Sequence, residues 1–346
     1  MRATVMTGPH EVEVAEVDDP TVQSPGAAIV EVSHTAICGS DLHMYHGSML
    51  LPGVRPGHEF IGRIVAAGGG VENFAHGDDV LVSGVIGCGH CPPCLSGHLV
   101  RCENAGIQVF GTTDALHGGQ AELVEVPLID RHAHLVPDGL DPEAAVMLTD
   151  ILPTGYLGAK RADVRPGDTV LVVGLGPVGM FALRSAQLLG ASRVLAADTL
   201  PDRLARAEEF GAIPVDASSG TPAQVTELTG GRGADCAIEA VGSDQTILDA
   251  VMSVRAGGTV SVVGVNQNMA MPYPMMYALL RDITLRGTLA SIPGTWPELV
   301  PLVVSGRLRP EEVVTHRMGL SEVAEAYRMF DDKDEGVLKV VLDPRN

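Results

Sequence analysis

From about residue 165 the chain alternates short apolar runs with amphipathic stretches. DTVLVVG, SRVLAAD, IPVD, ADCAIEAVG and TVSVVGV recur at roughly regular intervals. Near-continuous apolar runs of this length suit strands covered on both faces. Between them lie PVGMFALRSAQLLG, PDRLARAEEFG, PAQVTELTG and DQTILDAVMSVRAGG. These have helical spacing, and several end in glycine, which suits a left-handed C-cap. Strand and helix in alternation predict a parallel, doubly wound α/β sheet.

The first 150 residues have another texture. They are rich in Gly, Pro and β-branched residues, with short runs such as AAIVEVSHTAI and GDDVLVSGV, which predict small β structure with long loops. After about residue 290 the strand–helix rhythm stops. WPELVPLVVSG and SEVAEAYRMF predict two more helices, and GVLKVVL a closing strand.

A chain of 346 residues has room for two domains, at about 100–200 residues each. Aromatic residues are only 3% against 45% hydrophobic, so the cores must be aliphatic. The N-terminal MRATVMTGPHEVEVAEV lacks the apolar stretch of a secretion signal. The most apolar window, TVLVVGLGPVGMFALRSAQLLGA, is interrupted by glycines, Pro177 and Arg184, and fits a strand feeding a helix better than a membrane span. A cytoplasmic protein with reduced thiols is the expectation. The formal charge of −20 repels phosphate backbones and anionic lipid, so neither nucleic acid nor a membrane is an expected partner.

VLVVGLGPVG places Gly174, Gly176 and Gly179 between a strand and a helix, with Pro177 and Val178 in the turn. In a dinucleotide site the first glycine allows a tight turn, the second lets backbone approach a pyrophosphate, and the third lets helix pack on strand. The helix N-terminus then offers N–H groups to the phosphates. Asp198, nineteen residues after Gly179, closes the next strand, where it would accept bonds from an adenosine ribose and repel a 2′-phosphate. NAD is therefore expected over NADP, with Arg203 the nearby residue able to offset that repulsion.

CGHCPPCLSGHLVRC carries Cys88, Cys91, Cys94 and Cys102 within one loop. Four thiolates close a tetrahedral coordination sphere and leave no place for water, which makes such a zinc structural. Two cysteines remain. Cys236 lies in an apolar run and is expected in the core. Cys38 opens CGSDLHMYHG, beside Ser40, Asp41, His43 and His46, and RPGHEFIG follows with His58 and Glu59. Cys38 and His58 suit a catalytic zinc, which normally has three protein ligands and an open position. Asp150, in MLTDILPTGY, is the favoured third ligand, with Glu59 competing. Thiolate, imidazole and carboxylate together cancel the charge of Zn²⁺.

With CGSDLH, GHE, the four-cysteine lobe, GGQAE, GLGPVG with Asp198, and GRGADCAIEAVG, nearly the whole chain resembles the zinc-dependent medium-chain alcohol dehydrogenases. LTDILPTGY and GGQAE look closest to the branch holding formaldehyde dehydrogenases and related bacterial alcohol dehydrogenases. The resemblance implies a GroES-like catalytic domain over residues 1–151 and 291–346, and a Rossmann domain over 152–290, with the substrate cleft between them. It implies hydride transfer between an alcohol, or its aldehyde or ketone, and NAD, with two zinc ions per subunit. Polyol, 3-hydroxy-amino-acid or formaldehyde oxidation is the alternative within the superfamily.

In that branch an aspartate replaces the third cysteine ligand, in line with Asp150. Glu59 would be a supporting or exchanging ligand, and Asp41 would orient the zinc-bound imidazole. Ser40 and His43 match a proton relay, and Lys339 a late basic residue meeting the cofactor pyrophosphate. Gly39 stands where some members carry a phosphate-binding arginine, and the chain lacks room for the long insertion of the tightly NAD-holding formaldehyde enzymes, so exchangeable NAD is implied. Family members form dimers or tetramers, and a homotetramer is favoured. Tyr45, Met49, Phe110 and Trp296 are candidate cleft residues.

Overall fold

The computed structural model describes residues 1–48 and 53–346; Met49 lies outside them. The chain divides into two compact units, Met1–Pro153 with Ser291–Asn346, and Thr154–Ala290. The first opens on an antiparallel pair, Arg2–Gly8 and Glu11–Glu16. Its main sheet has seven strands, running in the order His316–Gly319, Val340–Asp343, Ala28–Ala36, Phe60–Ala67, Asp79–Val82 and Ala133–Leu135, with Leu123–Val126 also paired to Ala28–Ala36.

Register in this sheet decides what meets what. Thr35 lies opposite Phe60 in antiparallel pairing, and Ala36 N–H donates to the Glu59 carbonyl. Cys38, two residues past Ala36, and His58, two before Phe60, therefore leave the sheet at the same end. The closing strand pairs Val341 with Ala36, and Ile37 N–H donates to the Val340 carbonyl, so Lys339 arrives there as well. Three strands from opposite ends of the chain deliver their polar residues to one place.

The second unit is a six-stranded, all-parallel sheet in the order Ile213–Asp216, Arg193–Asp198, Thr169–Val173, Ala234–Glu239, Val254–Val262, Thr284–Gly287. Its first strand in sequence is central. The chain winds outward on one side, then crosses back to Ala234, and such a reversal is where α/β sheets bind nucleotides. Helices Pro177–Leu188, Pro201–Glu209, Thr221–Leu228 and Asp244–Ser253 connect the strands. The core between sheet and helices is aliphatic, with Leu171, Leu195, Val215, Val251 and Val260 fully buried.

The GroES-like unit and the parallel Rossmann-type sheet form the expected α/β fold. Two local expectations need correction. The predicted helix over DQTILDAVMSVRAGG stops at Ser253, and VRAGG begins the strand Val254–Val262. The first part of that strand is partly exposed, so it lacks the apolar continuity that marks the other strands. The helix Met275–Arg281 and edge strand Thr284–Gly287 were not predicted. The edge position leaves that strand without an alternating buried face.

Candidate functional site

The loop leaving strand Ala28–Ala36 places Cys38, 7% exposed, just before the one-turn helix Asp41–Tyr45. Asp41 is buried, and its Oδ2 accepts the Cys38 N–H at 3.0 Å while Oδ1 faces His58 Nδ1 at 3.2 Å. The carboxylate thus fixes both the thiol loop and the imidazole plane. It leaves His58 Nε2 turned toward Asp150 Oδ2, at 3.4 Å, and Ser40 Oγ, at 3.2 Å. Asp150 follows the helix Pro142–Met147. Its turn is pinned by Gly84 N–H donating to the Thr149 carbonyl and Trp296 Nε1–H donating to the Leu148 carbonyl.

The donor set fits a zinc ion. Ligand atoms of Cys38, His58, Glu59 and Asp150 all lie within 4.8 Å of one another. Tetrahedral bonds of about 2.0–2.3 Å put ligand atoms about 3.3–3.8 Å apart. Cys38 Sγ stands 3.8 Å from Asp150 Oδ2, and the His58–Asp150 spacing is also in range. Burial, and then the charge of Glu59, push the Cys38 thiol up. Burial also opposes charging of His58, but Asp41 and Cys38, with bonds to Asp150 and Asp41, outweigh it and raise His58 well above its usual value. A group so short of positive charge favours a cation, which would deprotonate the thiol outright.

Glu59 belongs to this cluster; its Oε1 accepts from Lys339 Nζ at 2.8 Å, while Oε2, 2.7 Å from the same ammonium, makes no hydrogen bond. Asp150 Oδ2 faces both His58 Nε2 and Cys38 Sγ, whereas Glu59 is paired with a buried ammonium. Lys339 itself must be corrected. It is fully buried, and its ammonium donates to Glu59 and, at 2.8 Å, to the Ile37 carbonyl. The closing strand turns it into the unit beside Cys38, so its charge is spent on Glu59 and does not reach out for a pyrophosphate.

Among the expected cleft residues, Tyr45, Phe110 and Trp296 are core residues. Tyr45 packs on Tyr327, Phe110 stands edge-on to Phe60, and Trp296 caps the Leu148 turn. His43 sits half-buried on the short helix, and Gly39 is exposed. Sequence reasoning gave no role to Gln120, although GGQAE contains it. Its buried amide donates to the Ala36 carbonyl and, at 3.4 Å, to Asp41 Oδ2, while accepting the Tyr327 hydroxyl.

The four lobe cysteines also converge within 4.8 Å. Cys88 and Ala105 N–H groups each donate to Cys102 Sγ at 3.3 Å, and the Asn104 amide to Cys88 Sγ at 3.2 Å. Backbone bonds from the His90 and Cys91 region hold the Cys88 thiol down to about 5, and bonds led by Ala105 lower Cys102. Burial pushes Cys94 up to about 12. Cys88 and Cys102 are thus prepared as thiolates, Cys94 would need the ion itself to deprotonate it, and none of the four is in a disulfide. Cys236 is buried in its strand, with burial raising its thiol to about 12.

In the second unit the glycine turn shows three different demands. Gly174 has φ +86°, which strongly favours glycine. A Cβ on Gly179 would sit 1.8 Å from the Gly174 carbonyl oxygen. A Cβ on Gly176 would meet nothing nearer than Arg203, at 3.9 Å. That opening lies at the N-cap of helix Pro177–Leu188, which no side chain caps, so a phosphate fits. Val178 lies in the helix's first turn. Asp198 Oδ1 accepts from Thr199 and Leu200 N–H groups, and Oδ2 from Leu175 N–H at 2.7 Å. Arg203 stands 3.8 Å from it.

Comparison with known proteins agrees with this chemistry. Residues 24–138 match the alcohol dehydrogenase GroES-like domain, and residues 177–305 the zinc-binding dehydrogenase domain. The chain is 44% identical over 349 residues to a probable zinc-binding alcohol dehydrogenase, Rv1895, of Mycobacterium tuberculosis, covering 99% of this chain and 89% of that protein. Alcohol dehydrogenase TADH from Thermus sp. ATN1 has the same fold, with TM-score 0.93, 41% identity and 99% of each chain covered. Two further structures hold nicotinamide cofactors. An E. coli CFT073 alcohol dehydrogenase complexed with NADH has TM-score 0.88 and 27% identity, and a putative zinc-binding dehydrogenase from Sinorhizobium meliloti 1021 bound to NADP has 0.85 and 28%. Each covers 99% of both chains.

Proposed function

Because this chain belongs to the zinc-dependent medium-chain alcohol dehydrogenase family, an oxidoreductase family using zinc and a nicotinamide cofactor, we propose that it oxidises a small alcohol with NAD, reversibly. Cys38, His58 and Asp150 would hold a catalytic zinc, and Cys88, Cys91, Cys94 and Cys102 a structural one. The observation carrying this reading is the convergence of thiol, imidazole and carboxylate at coordination spacing from three distant segments. When bound, zinc supplies Lewis acidity to a substrate hydroxyl, and NAD the hydride acceptor.

The chain's own groups handle position and protons. Asp41 orients His58, and Gln120 and Tyr327 brace Asp41 from behind. Ser40 Oγ accepts the substrate's hydroxyl proton and passes it toward His43. Burial, then the neighbouring His46, hold the His43 imidazole below its usual value, so near pH 7 it is neutral and able to accept. His43→Ala should therefore slow turnover much more at pH 7 than at pH 9, where hydroxide replaces the base. Equal losses at both would reject the relay.

NAD preference rests on Asp198, whose carboxylate closes the glycine loop. Two unit charges at about 4 Å in an effective dielectric near 20 repel by about 4 kcal/mol. Asp198→Asn keeps an acceptor oxygen for the Thr199 and Leu200 N–H groups but loses the charge and the bond from Leu175 N–H. It should lower the NAD-to-NADP ratio of kcat/KM by at least about tenfold, while a mutation that leaves the ratio unchanged would remove the basis for NAD selectivity. Absorbance of NADH across a panel of primary, secondary and polyhydroxylated alcohols, hydroxy amino acids and formaldehyde tests the substrate class; no NADH from any would overturn the enzyme reading.

Further parts of the reading follow from surface and composition. No helix among the described residues is long and apolar enough to cross a membrane, and thiolate zinc ligation suits a reducing, cytoplasmic setting. Met275, Met276, Leu279 and Leu280, the last 79% exposed, crowd one helix beside the edge strand Thr284–Gly287. Exposed apolar clusters and open sheet edges suit association, which supports a homo-oligomer, with a tetramer favoured.

A further inference from the structure

On the outside of the first unit, three metal-binding side chains from distant parts of the chain meet. His10 lies in the turn between the two N-terminal strands. His46 caps the C-terminus of helix Asp41–Tyr45, and Asp331 ends helix Val323–Asp331. Ligand atoms of all three fall within 4.8 Å of one another. His46 Nε2 is hydrogen-bonded to Asp331 Oδ1 at 2.7 Å, a contact an entering ion would replace, and His10 Nδ1 stands 3.7 Å from Asp331 Oδ2. The imidazoles face one another with ring centres 5.1 Å apart.

The arrangement is held before any ligand arrives. His10 adopts φ +60°, uncommon for a residue with a side chain. Its N–H donates to the Tyr45 carbonyl at 2.6 Å, and its ring stacks edge-on against the Tyr45 ring at 5.0 Å. Tyr45 in turn packs on Tyr327, one turn before Asp331 on its helix. The His10 ring is therefore aimed across Asp331. The imidazoles are about half exposed, 58% and 44%, and the carboxylate 20%, so capture of an ion requires little burial of charge and leaves open positions for water.

We infer that His10, His46 and Asp331 form a third, exterior site for a divalent transition ion of the zinc, nickel or copper type. Imidazole nitrogens select these ions over magnesium and calcium, which prefer oxygen donors. The Asp331 carboxylate supplies charge. The site is independent of the catalytic reading, since none of its residues belongs to the Cys38 or the four-cysteine cluster. Its occupancy would tie the N-terminal turn and the last turn of helix Val323–Asp331 to the end of helix Asp41–Tyr45.

The test titrates Zn²⁺ into full-length protein already holding two zinc ions, followed by calorimetry. A third equivalent should bind to the unaltered chain. Loss of supporting contacts alone weakens metal sites by about 10–100-fold, so losing a ligand in His10→Ala or in Asp331→Asn should weaken this equivalent at least as much. His10→Ala should keep its basal turnover, which reports an intact fold. On the unaltered chain, Zn²⁺ should also protect His10 and His46 from acylation by diethyl pyrocarbonate. No third equivalent, one that survives either substitution, or labelling that zinc leaves unchanged would each overturn the site.

Discussion

Cys38→Ser should abolish alcohol-dependent NADH formation, with turnover falling by at least about a thousandfold, while the protein still folds and keeps the zinc of its four-cysteine lobe. The size of the effect follows from what each group contributes. Zinc lowers the pKa of bound water from about 15.7 to about 7. At 1.36 kcal/mol per unit, that is up to roughly 12 kcal/mol of stabilisation of an oxyanion. A hydrogen bond from Ser40 contributes only about 1.5–3 kcal/mol, so the metal dominates. Forfeiting even a third of the metal's contribution costs about 4 kcal/mol, or about three powers of ten in rate.

Fold survival in this variant is expected because Cys38 sits at the end of strand Ala28–Ala36, not within it. The loop is also held by Asp41, which receives the Cys38 main-chain N–H. Serine keeps that bond and nearly the same volume. Metal analysis should find one zinc per chain fewer than in the unaltered protein, and circular dichroism should match that protein. Turnover within tenfold of the original would remove Cys38 from the active site.

Lys339→Met should destabilise the protein by about 3–5 kcal/mol, the usual cost of leaving one buried charge without its partner. Lys339 and Glu59 are both fully buried and lie 2.7 Å apart. Burial pushes the Glu59 carboxyl up, with Lys339 acting against it, so removing the ammonium leaves that carboxylate without its main counter-charge. Adding Glu59→Gln to Lys339→Met should recover much of the loss, because no unpaired charge then remains. Urea titrations of the single and double variants measure this coupling. If Lys339→Met instead keeps full stability and raises only the KM for NAD, the lysine serves the cofactor and the buried pair is incidental.

The contrast between Cys38 and Lys339 shows what could be read in advance. Cys38 and the lobe cysteines declare themselves by residue type, because the chain has only six thiols and their chemistry is narrow, while His58 and Asp150 are read from their motifs, GHE and LTDILPTGY. The βα repeat was equally legible, since strands buried on both faces must be apolar throughout. Lys339 was misplaced because a lysine in an apolar run has no chemical signature of its own. Its role is set by the pairing of strand Val340–Asp343 with Ala28–Ala36, a long-range register that composition does not carry. Gln120 was overlooked for the same reason. Its amide acts only because folding brings it to Asp41 and Tyr327. The His10–His46–Asp331 group joins residues from both ends of the chain; the sequence marks His46 only as a polar neighbour of Cys38 and gives no sign of His10 or Asp331.

The most direct test is anomalous diffraction at the zinc edge from crystals of the zinc-loaded protein with NAD. One ion should lie inside the four-cysteine lobe. A second should lie about 2.3 Å from Cys38 Sγ and about 2.0–2.2 Å from a ring nitrogen of His58 and a carboxylate oxygen of Asp150. A crystal whose zinc fills the lobe but leaves Cys38, His58 and Asp150 without a shared ion would contradict this placement.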